Sequence, residues 1–269
     1  MPEKPLISIV ITSYQRAATL ERAARSVLTQ TFSDFELILY DDGSTDASRD
    51  IANRLAASDP RVCCLAGAHA GVWPATHAAL QQAKGTYIGW VDSDDLLVAD
   101  ALESCVSALE KNPHAGAVYT DYLDVDASMK VIGYGKRCAI PYSAEALLTA
   151  FMTFHFRLIR RTAYDAVGGI DPTYTAAGDY DLCLRLSERF AFVRVVKALY
   201  LYCNHRNNIS FGRRLEQIEM TERAIRAAMQ RRGMTDTHSL FVDLMAYFTV
   251  EPRADAVATV DGVTPKLPV

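Results

Sequence analysis

The chain has 269 residues, half of them hydrophobic, with a formal net charge of −4 and a pI near 5.9. That length suits one large domain with a small appendage, and the acidic balance argues against a nucleic-acid binder, which presents a basic face. No apolar stretch reaches the roughly 18–20 residues that a bilayer span needs, and no secretory-signal pattern opens the sequence, so a cytoplasmic protein is expected, with peripheral contact at the inner face of a membrane left open.

Taken in chain order, the first half alternates strand and helix patterns. Strands are expected at residues 6–11, 35–40, 61–65, 86–91 and 117–122, and helices at 17–29, 46–57, 72–83 and 99–111. The strands are short apolar runs, as in a buried parallel sheet, and the helices show apolar positions at helical spacing, such as Leu20, Ala24, Val27 and Leu28. Asp46 is placed to cap the second helix, Pro74 suits the first turn of the third, and Asn112-Pro113 ends the fourth. Such alternation predicts an α/β fold, a mostly parallel sheet with helices on both faces, whose ligands bind at the carboxyl ends of the strands.

The pattern then changes. A hairpin is expected over residues 124–134, turning near Ala127-Ser128, then a helix at 144–151, a strand at 154–160 and a short helix at 161–167 stopped by Gly168-Gly169. An amphipathic helix follows at 179–190, a strand at 192–202, a long charged helix at 213–231 and an apolar helix at 238–250 that could cover the core, pair with a second copy or touch a membrane. Residues 251–269 lack periodicity and suggest a mobile tail or a linker. The six cysteines have no metal-ligand spacing and are expected as reduced core thiols.

Three acidic clusters fall where the chemistry of such a sheet is expected. Val91-Asp92-Ser93-Asp94-Asp95 puts three mutually repelling carboxylates just past the fourth strand, a pattern that suits a hard divalent cation such as Mg²⁺ or Mn²⁺. The plain alternative is an acidic helix start, with Asp95 as cap. Asp41-Asp42-Gly43-Ser44 ends the second strand in a tight turn, and a carboxylate there can accept from a base or ribose. Gly178-Asp179-Tyr180-Asp181 opens an amphipathic helix, where a carboxylate serves either as general base or as a cap.

Four blocks, in this order, resemble family 2 glycosyltransferases of GT-A fold: IVITSYQR ending at Arg16, SVLTQTFSDFEL followed by DDGSTD ending at Asp46, KGTYI leading to Asp92-Ser-Asp-Asp95, and GDYDLCLRL starting at Gly178. The resemblance covers roughly residues 5–210 and is nearest to the small, non-processive type of spore-coat polysaccharide transferase. It implies a glycosyltransferase domain over residues 1–232, with a nucleotide-binding half (5–124) and an acceptor half (125–212), followed by the apolar helix and tail (233–269). It implies that Thr12, Tyr14 and Asp41 hold uracil and ribose, with Arg16 and Ser93 also on the nucleotide. Asp92 meets the ribose or the metal shell, Asp94 binds Mn²⁺ or Mg²⁺, and Asp179 is the catalytic base. His205 stands where relatives place a basic or metal-facing residue. Trp73, Trp90 and His155 are candidates for the sugar pocket, with core packing favoured for Trp90.

The chain departs from the family pattern at Gln15, where relatives commonly carry Asn, and at Thr76 and His77, where they carry Arg and Asn. The QXXRW motif of processive synthases is missing. The implied reaction is inverting transfer of a sugar from a UDP or dTDP donor to a glycan or lipid-linked acceptor. The alternatives are a nucleotide-sugar binding module without transfer, and a haloacid-dehalogenase-type phosphatase built on Asp92 and Asp94.

Overall fold

A computed structural model of the chain describes residues 4–204 and 213–243. It divides into a unit spanning Met1–His238 and a second spanning Ser239–Val269. Of the second unit only residues 239–243 are described, and they hold no regular structure.

The first unit is built on a nine-stranded sheet. Its strands are β1 (Ile7–Ser13), β2 (Phe35–Asp41), β3 (Val62–Ala66), β4 (Tyr87–Trp90), β5 (Leu96–Leu97), β6 (Ala115–Val125), β7 (Val131–Tyr134), β8 (Arg157–Arg160) and β9 (Ala191–Cys203). The helices are α1 (Leu20–Leu28), α2 (Ser48–Ser58), α3 (Val72–Gln82), α4 (Ala101–Lys111), α5 (Arg161–Ala166), α6 (Gly178–Ser187) and α7 (Arg214–Arg231). The sheet order is β3-β2-β1-β4-β8-β6-β9-β5, with β7 paired to β6. β1 pairs in parallel with β2 and β4, β2 with β3, and β6 with β9. β8 lies antiparallel between β4 and β6, so those two flanking strands share one direction.

Side-chain alternation decides which face meets which helix. Ile7, Ile9 and Ile11 are fully buried in one cluster with Leu20, Ala24 and Val27 of α1, Ile51 and Leu55 of α2, and Leu102, Cys105 and Leu109 of α4. α3 packs on β1 and β2 outside that cluster, and thus covers the other face. The strand order turns at β1: the chain runs outward from β1 to β3, then returns to lay β4 on the other side. The crevice beyond the carboxyl ends of β1 and β4 is therefore the expected binding place.

Most of the elements read from the sequence are present, and several details differ. α2 begins at Ser48 with Ala47 at its cap position, two residues later than expected. Asp46 is instead drawn into a tertiary contact, accepting from the amides of Ser48 (3.0 Å) and Ala17 (3.0 Å). The expected helix at 144–151 shrinks to a single 3-10 turn, Ala146–Leu148, where the Tyr180 hydroxyl shares its one proton between the carbonyls of Leu147 and Leu148. Those carbonyls are thereby satisfied without a longer helix. The hairpin turns at residues 126–130, where the Asp126 side chain caps the amides of Ser128 and Lys130. β5 was not foreseen: it is two residues long and is held by β9 rather than by any pattern of its own.

Residues 238–243 are not helical, and the remainder of the expected apolar helix and the tail lie outside the described residues, as does His205. Cys105, Cys138, Cys183 and Cys203 are buried free thiols, but Cys63 is exposed because β3 is an edge strand. Among the described residues no helix is long and apolar enough to cross a membrane.

Candidate active site

A cleft of about 750 Å³ opens where the sheet order turns. One wall comes from the loop after β1. Gln15 sits at φ 55°, in the left-handed region that Asn tolerates better than Gln. Its amide donates to Ser44 Oγ at 3.0 Å and its side chain to Thr45 Oγ1 at 2.7 Å. The amide of Arg16 donates to Ser48 Oγ at 2.8 Å. The polar block after β2 therefore clamps the turn that presents Thr12, Tyr14 and Arg16 to the cleft.

Asp41 and Asp42 behave differently. Asp41 ends β2 and accepts from the Ser44 amide through Oδ2, while its Oδ1 is buried without a hydrogen-bond partner. It is not among the residues lining the cleft, whereas Asp42 is. Asp42 accepts from the amides of Ala70 and Gly71, both at 2.9 Å, and meets His69 Nδ1 at 2.8 Å. Those bonds hold the loop ahead of α3 and lay the His69 ring on Tyr14, with centroids 3.8 Å apart. Gly43 permits this approach: a Cβ there would sit 2.8 Å from the His69 amide nitrogen.

The floor comes from the end of β4. Asp92, Ser93 and Asp94 line the cleft, but Asp95 turns inward. It accepts from Tyr200 Oη (2.7 Å) and the Cys203 amide (2.7 Å), tying this loop to β9. Burial, then the charges of Asp94 and Asp179, push the Asp92 carboxyl up to about 7. Arg16 Nε stands 3.6 Å from Asp94 Oδ2. His155 Nε2 stands 3.7 Å from Asp92 Oδ2, and burial followed by the charges of Arg157 and Arg137 holds that imidazole well below its ordinary value, hence neutral.

The opposite wall carries Asp179 in the first turn of α6. Gly178 lets this helix start close to α3, since a Cβ would lie 2.7 Å from the Trp73 ring. Asp179 Oδ2 accepts from Arg157 Nη2 at 2.9 Å. Trp73 and His155 line the cleft, whereas Trp90 is buried beside Trp73 and does not. Thr76 and His77 face away from the cleft: the Thr76 hydroxyl donates to the Val72 carbonyl, and His77 Nδ1 meets the Ile170 carbonyl at 2.9 Å.

Of the residues singled out in the sequence, Thr12, Tyr14, Arg16, Asp92, Ser93, Asp94 and Asp179 thus share one cleft, and Asp41 does not reach it. Sequence reasoning passed over Asp42, His69, Arg137, Arg157, Arg213 and Arg214, of which all but Arg157 line the cleft. Arg157 alone carried a signal, a charge set between the apolar neighbours Phe156 and Leu158.

The carboxylates fit a hard divalent cation. Asp92 and Asp94 face the same space, and burial first, then the charges of Asp94 and Asp179, disfavour a further bare negative charge on Asp92, which a cation would offset. No group of three or more His, Cys, Asp or Glu able to hold an ion lies among the described residues. An ion here would therefore take one or two carboxylates and complete its shell with water and phosphate oxygens, which is how Mg²⁺ is commonly held.

The profile described as "Glycosyl transferase family 2" matches residues 8–168. The chain belongs to this family. As a family 2 member, it is 34% identical over 231 residues to a hyaluronan synthase of Pasteurella multocida, covering 86% of this chain and 24% of that protein. It is 33% identical over 230 residues to a chondroitin synthase of Escherichia coli, covering 86% of this chain and 33% of that protein. The chain therefore spans only about a quarter to a third of the length of these relatives. Among solved structures, S. aureus TarS with UDP-GlcNAc superposes with a TM-score of 0.67 at 17% identity, covering 83% of this chain and 66% of that one. The mannosyltransferase PcManGT of Pyrobaculum calidifontis, solved with GDP-Man and Mn²⁺, gives 0.61 at 15% identity, covering 89% and 77%. The α/β fold expected from the sequence, of GT-A type, is thereby met, and the haloacid-dehalogenase alternative falls with the family match.

Proposed function

We propose that this chain is an inverting glycosyltransferase that moves a sugar from a nucleotide diphosphate, UDP foremost, to an acceptor hydroxyl. The observation that carries this reading is the shared cleft, with Asp92 and Asp94 on the β4 side and Asp179 on the α6 side of one cavity. The names of the relatives, hyaluronan and chondroitin synthases, support a role in polysaccharide or envelope-glycan synthesis, and the UDP-GlcNAc complex of TarS supports a UDP-sugar donor. The Mn²⁺ complex of PcManGT supports use of a divalent metal.

In this reading the loop carrying Thr12 and Tyr14 receives the nucleoside. Asp41, which ends β2 behind this loop without lining the cleft, keeps only its sequence-based candidacy for the N3–H of uracil. Cytosine offers an acceptor at that edge, and a buried carboxylate left against it costs about 1–3 kcal/mol. Thymine shares the uracil edge, so a dTDP donor fits equally. Arg16 and Ser93 lie where the diphosphate would approach the aspartates.

Asp94, with Asp92 beside it, would hold Mn²⁺ or Mg²⁺. Such an ion supplies neutralisation of the charge that develops on the leaving diphosphate. His205, outside the described residues, keeps its sequence-based candidacy as a further ligand.

Asp179 takes the acceptor hydroxyl proton while the acceptor oxygen bonds to the anomeric carbon. The bond from that carbon to the diphosphate oxygen breaks, and its electron pair leaves with the nucleotide. General-base assistance of this kind contributes about 10²–10⁴-fold. Attack from the face opposite the diphosphate inverts the anomeric centre without a sugar–enzyme intermediate.

The test is a screen of UDP- and dTDP-sugars with Mn²⁺, with glycan and lipid-linked acceptors, reading the released nucleotide. Turnover of one donor, dependent on the metal, is expected. The absence of turnover for every donor, in protein that binds UDP, would leave a binding module instead.

A further inference from the structure

We infer that Arg157 is a positioning residue that sets where the Asp179 carboxylate stands relative to Asp92 and Asp94. The inference rests on the base role proposed for Asp179, and goes beyond it by assigning the residue that holds that base.

Arg157 opens β8 and is 2% exposed. A guanidinium so buried needs its charge met and most of its donors engaged; Nε is buried without a hydrogen-bond partner, and the two terminal nitrogens carry the contacts. Nη2 donates to Asp179 Oδ2 at 2.9 Å and Nη1 to the Thr153 carbonyl at 2.8 Å. Its head group lies 5.0 Å from the Trp90 ring centroid and 5.4 Å from that of Phe151. Aromatic faces and two hydrogen bonds thus leave the fork little freedom. Asp179 is its ion-pair partner among the described residues. Burial opposes the Arg157 charge, and Asp179, with Asp92 further down, counters it.

The placement matters because Arg157 joins two elements that carry opposite sides of the cleft. β8 is registered against β4, with Leu158 beside Gly89, three residues before Asp92. α6 carries Asp179, whose other oxygen, Oδ1, accepts from the Tyr180 amide at 2.9 Å. The guanidinium therefore bridges the strand pair that ends in the Asp92–Asp94 loop and the helix that presents the base. Structural stability alone does not require an arginine here, since an apolar pair of similar volume is often as stable as a buried ion pair. An arginine supplies what an apolar pair lacks, a fixed planar fork that orients a carboxylate.

The experiment compares Arg157→Lys in the wild-type and Asp179→Asn backgrounds, using full-length protein, Mn²⁺ and the donor selected by the screen. UDP release measures turnover and calorimetry with UDP measures donor binding. Misplacing a reacting group by about 1 Å costs about 10²-fold. We expect Arg157→Lys to lower turnover by about that factor, to leave UDP affinity within about twofold, and to add no further loss in the Asp179→Asn background. A loss of the same factor in both backgrounds, or a loss of UDP affinity that matches the loss of turnover, overturns the inference. Should Asp179→Asn abolish turnover while Arg157→Lys retains it, the base reading stands and only the Arg157 inference falls. If Asp179→Asn itself turns over normally, both fall. As a second measurement, millimolar guanidinium should restore turnover to an Arg157→Ala protein that still binds UDP, and ammonium should not; no restoration by guanidinium contradicts the inference.

Discussion

Asp92 is the residue at which the electrostatics of the cleft are most exposed to measurement. Its carboxyl is raised to about 7 by burial and by Asp94 and Asp179. Between about pH 4 and about pH 7 the folded protein then holds a proton that the unfolded chain has released, so this group makes stability fall as pH rises through that window and level off above it. The Tm of ligand-free protein should accordingly decline between about pH 4 and about pH 7, and Asp92→Asn should remove part of that decline. Identical pH profiles for the two proteins would contradict the assignment. At the neighbouring position, Asp94→Ala should abolish the strengthening of UDP binding by Mn²⁺, measured by calorimetry with and without the ion. Equal metal dependence in the mutant would remove Asp94 from the metal role.

At the scale of elements, the cleft depends on how closely α6 approaches α3. Gly178 is the point of contact, because a Cβ there would fall 2.7 Å from Trp73 Cγ and Cδ2, atoms of a rigid indole that is itself buried. Gly178→Val should destabilise the protein by about 1–3 kcal/mol, as overpacking does. In a chain of this size that lowers Tm by about 2–4 °C per kcal/mol. Gly133→Val on β7, where a Cβ meets nothing within 4 Å, is the matching control and should leave Tm nearly unchanged. Equal Tm for the two variants would show that the helices do not meet as described.

The same elements show what the sequence made legible. The parallel half was readable because each strand is a mostly apolar run followed by a polar turn, and the first of them ends in the loop of Tyr14 and Arg16. The position of β8 was not readable: its partners, β4 and β6, are set by tertiary packing, and a four-residue strand carries no record of its neighbours. The choice between Asp41 and Asp42 was equally hidden. Successive side chains at the end of a strand point to opposite sides, so adjacent identical residues receive different environments that only the fold decides. Arg137, Arg213 and Arg214 reach the cleft from a 3-10 turn and from the start of α7, elements far apart in the chain and without a motif.

For the whole molecule, the account reduces to a division of labour across one cavity. In the proposed function, the carboxylates at the end of β4 would face the nucleotide diphosphate, and the carboxylate at the start of α6, paired with a buried arginine, would face the acceptor. Such a division predicts that binding and transfer can be separated by mutation. The most direct measurement is UDP affinity and donor turnover of Asp179→Asn beside wild type, in the presence of Mn²⁺. The account predicts unchanged UDP affinity, with turnover reduced by about 10²–10⁴-fold. Turnover equal to wild type, or a loss of UDP binding as large as the loss of turnover, would contradict it.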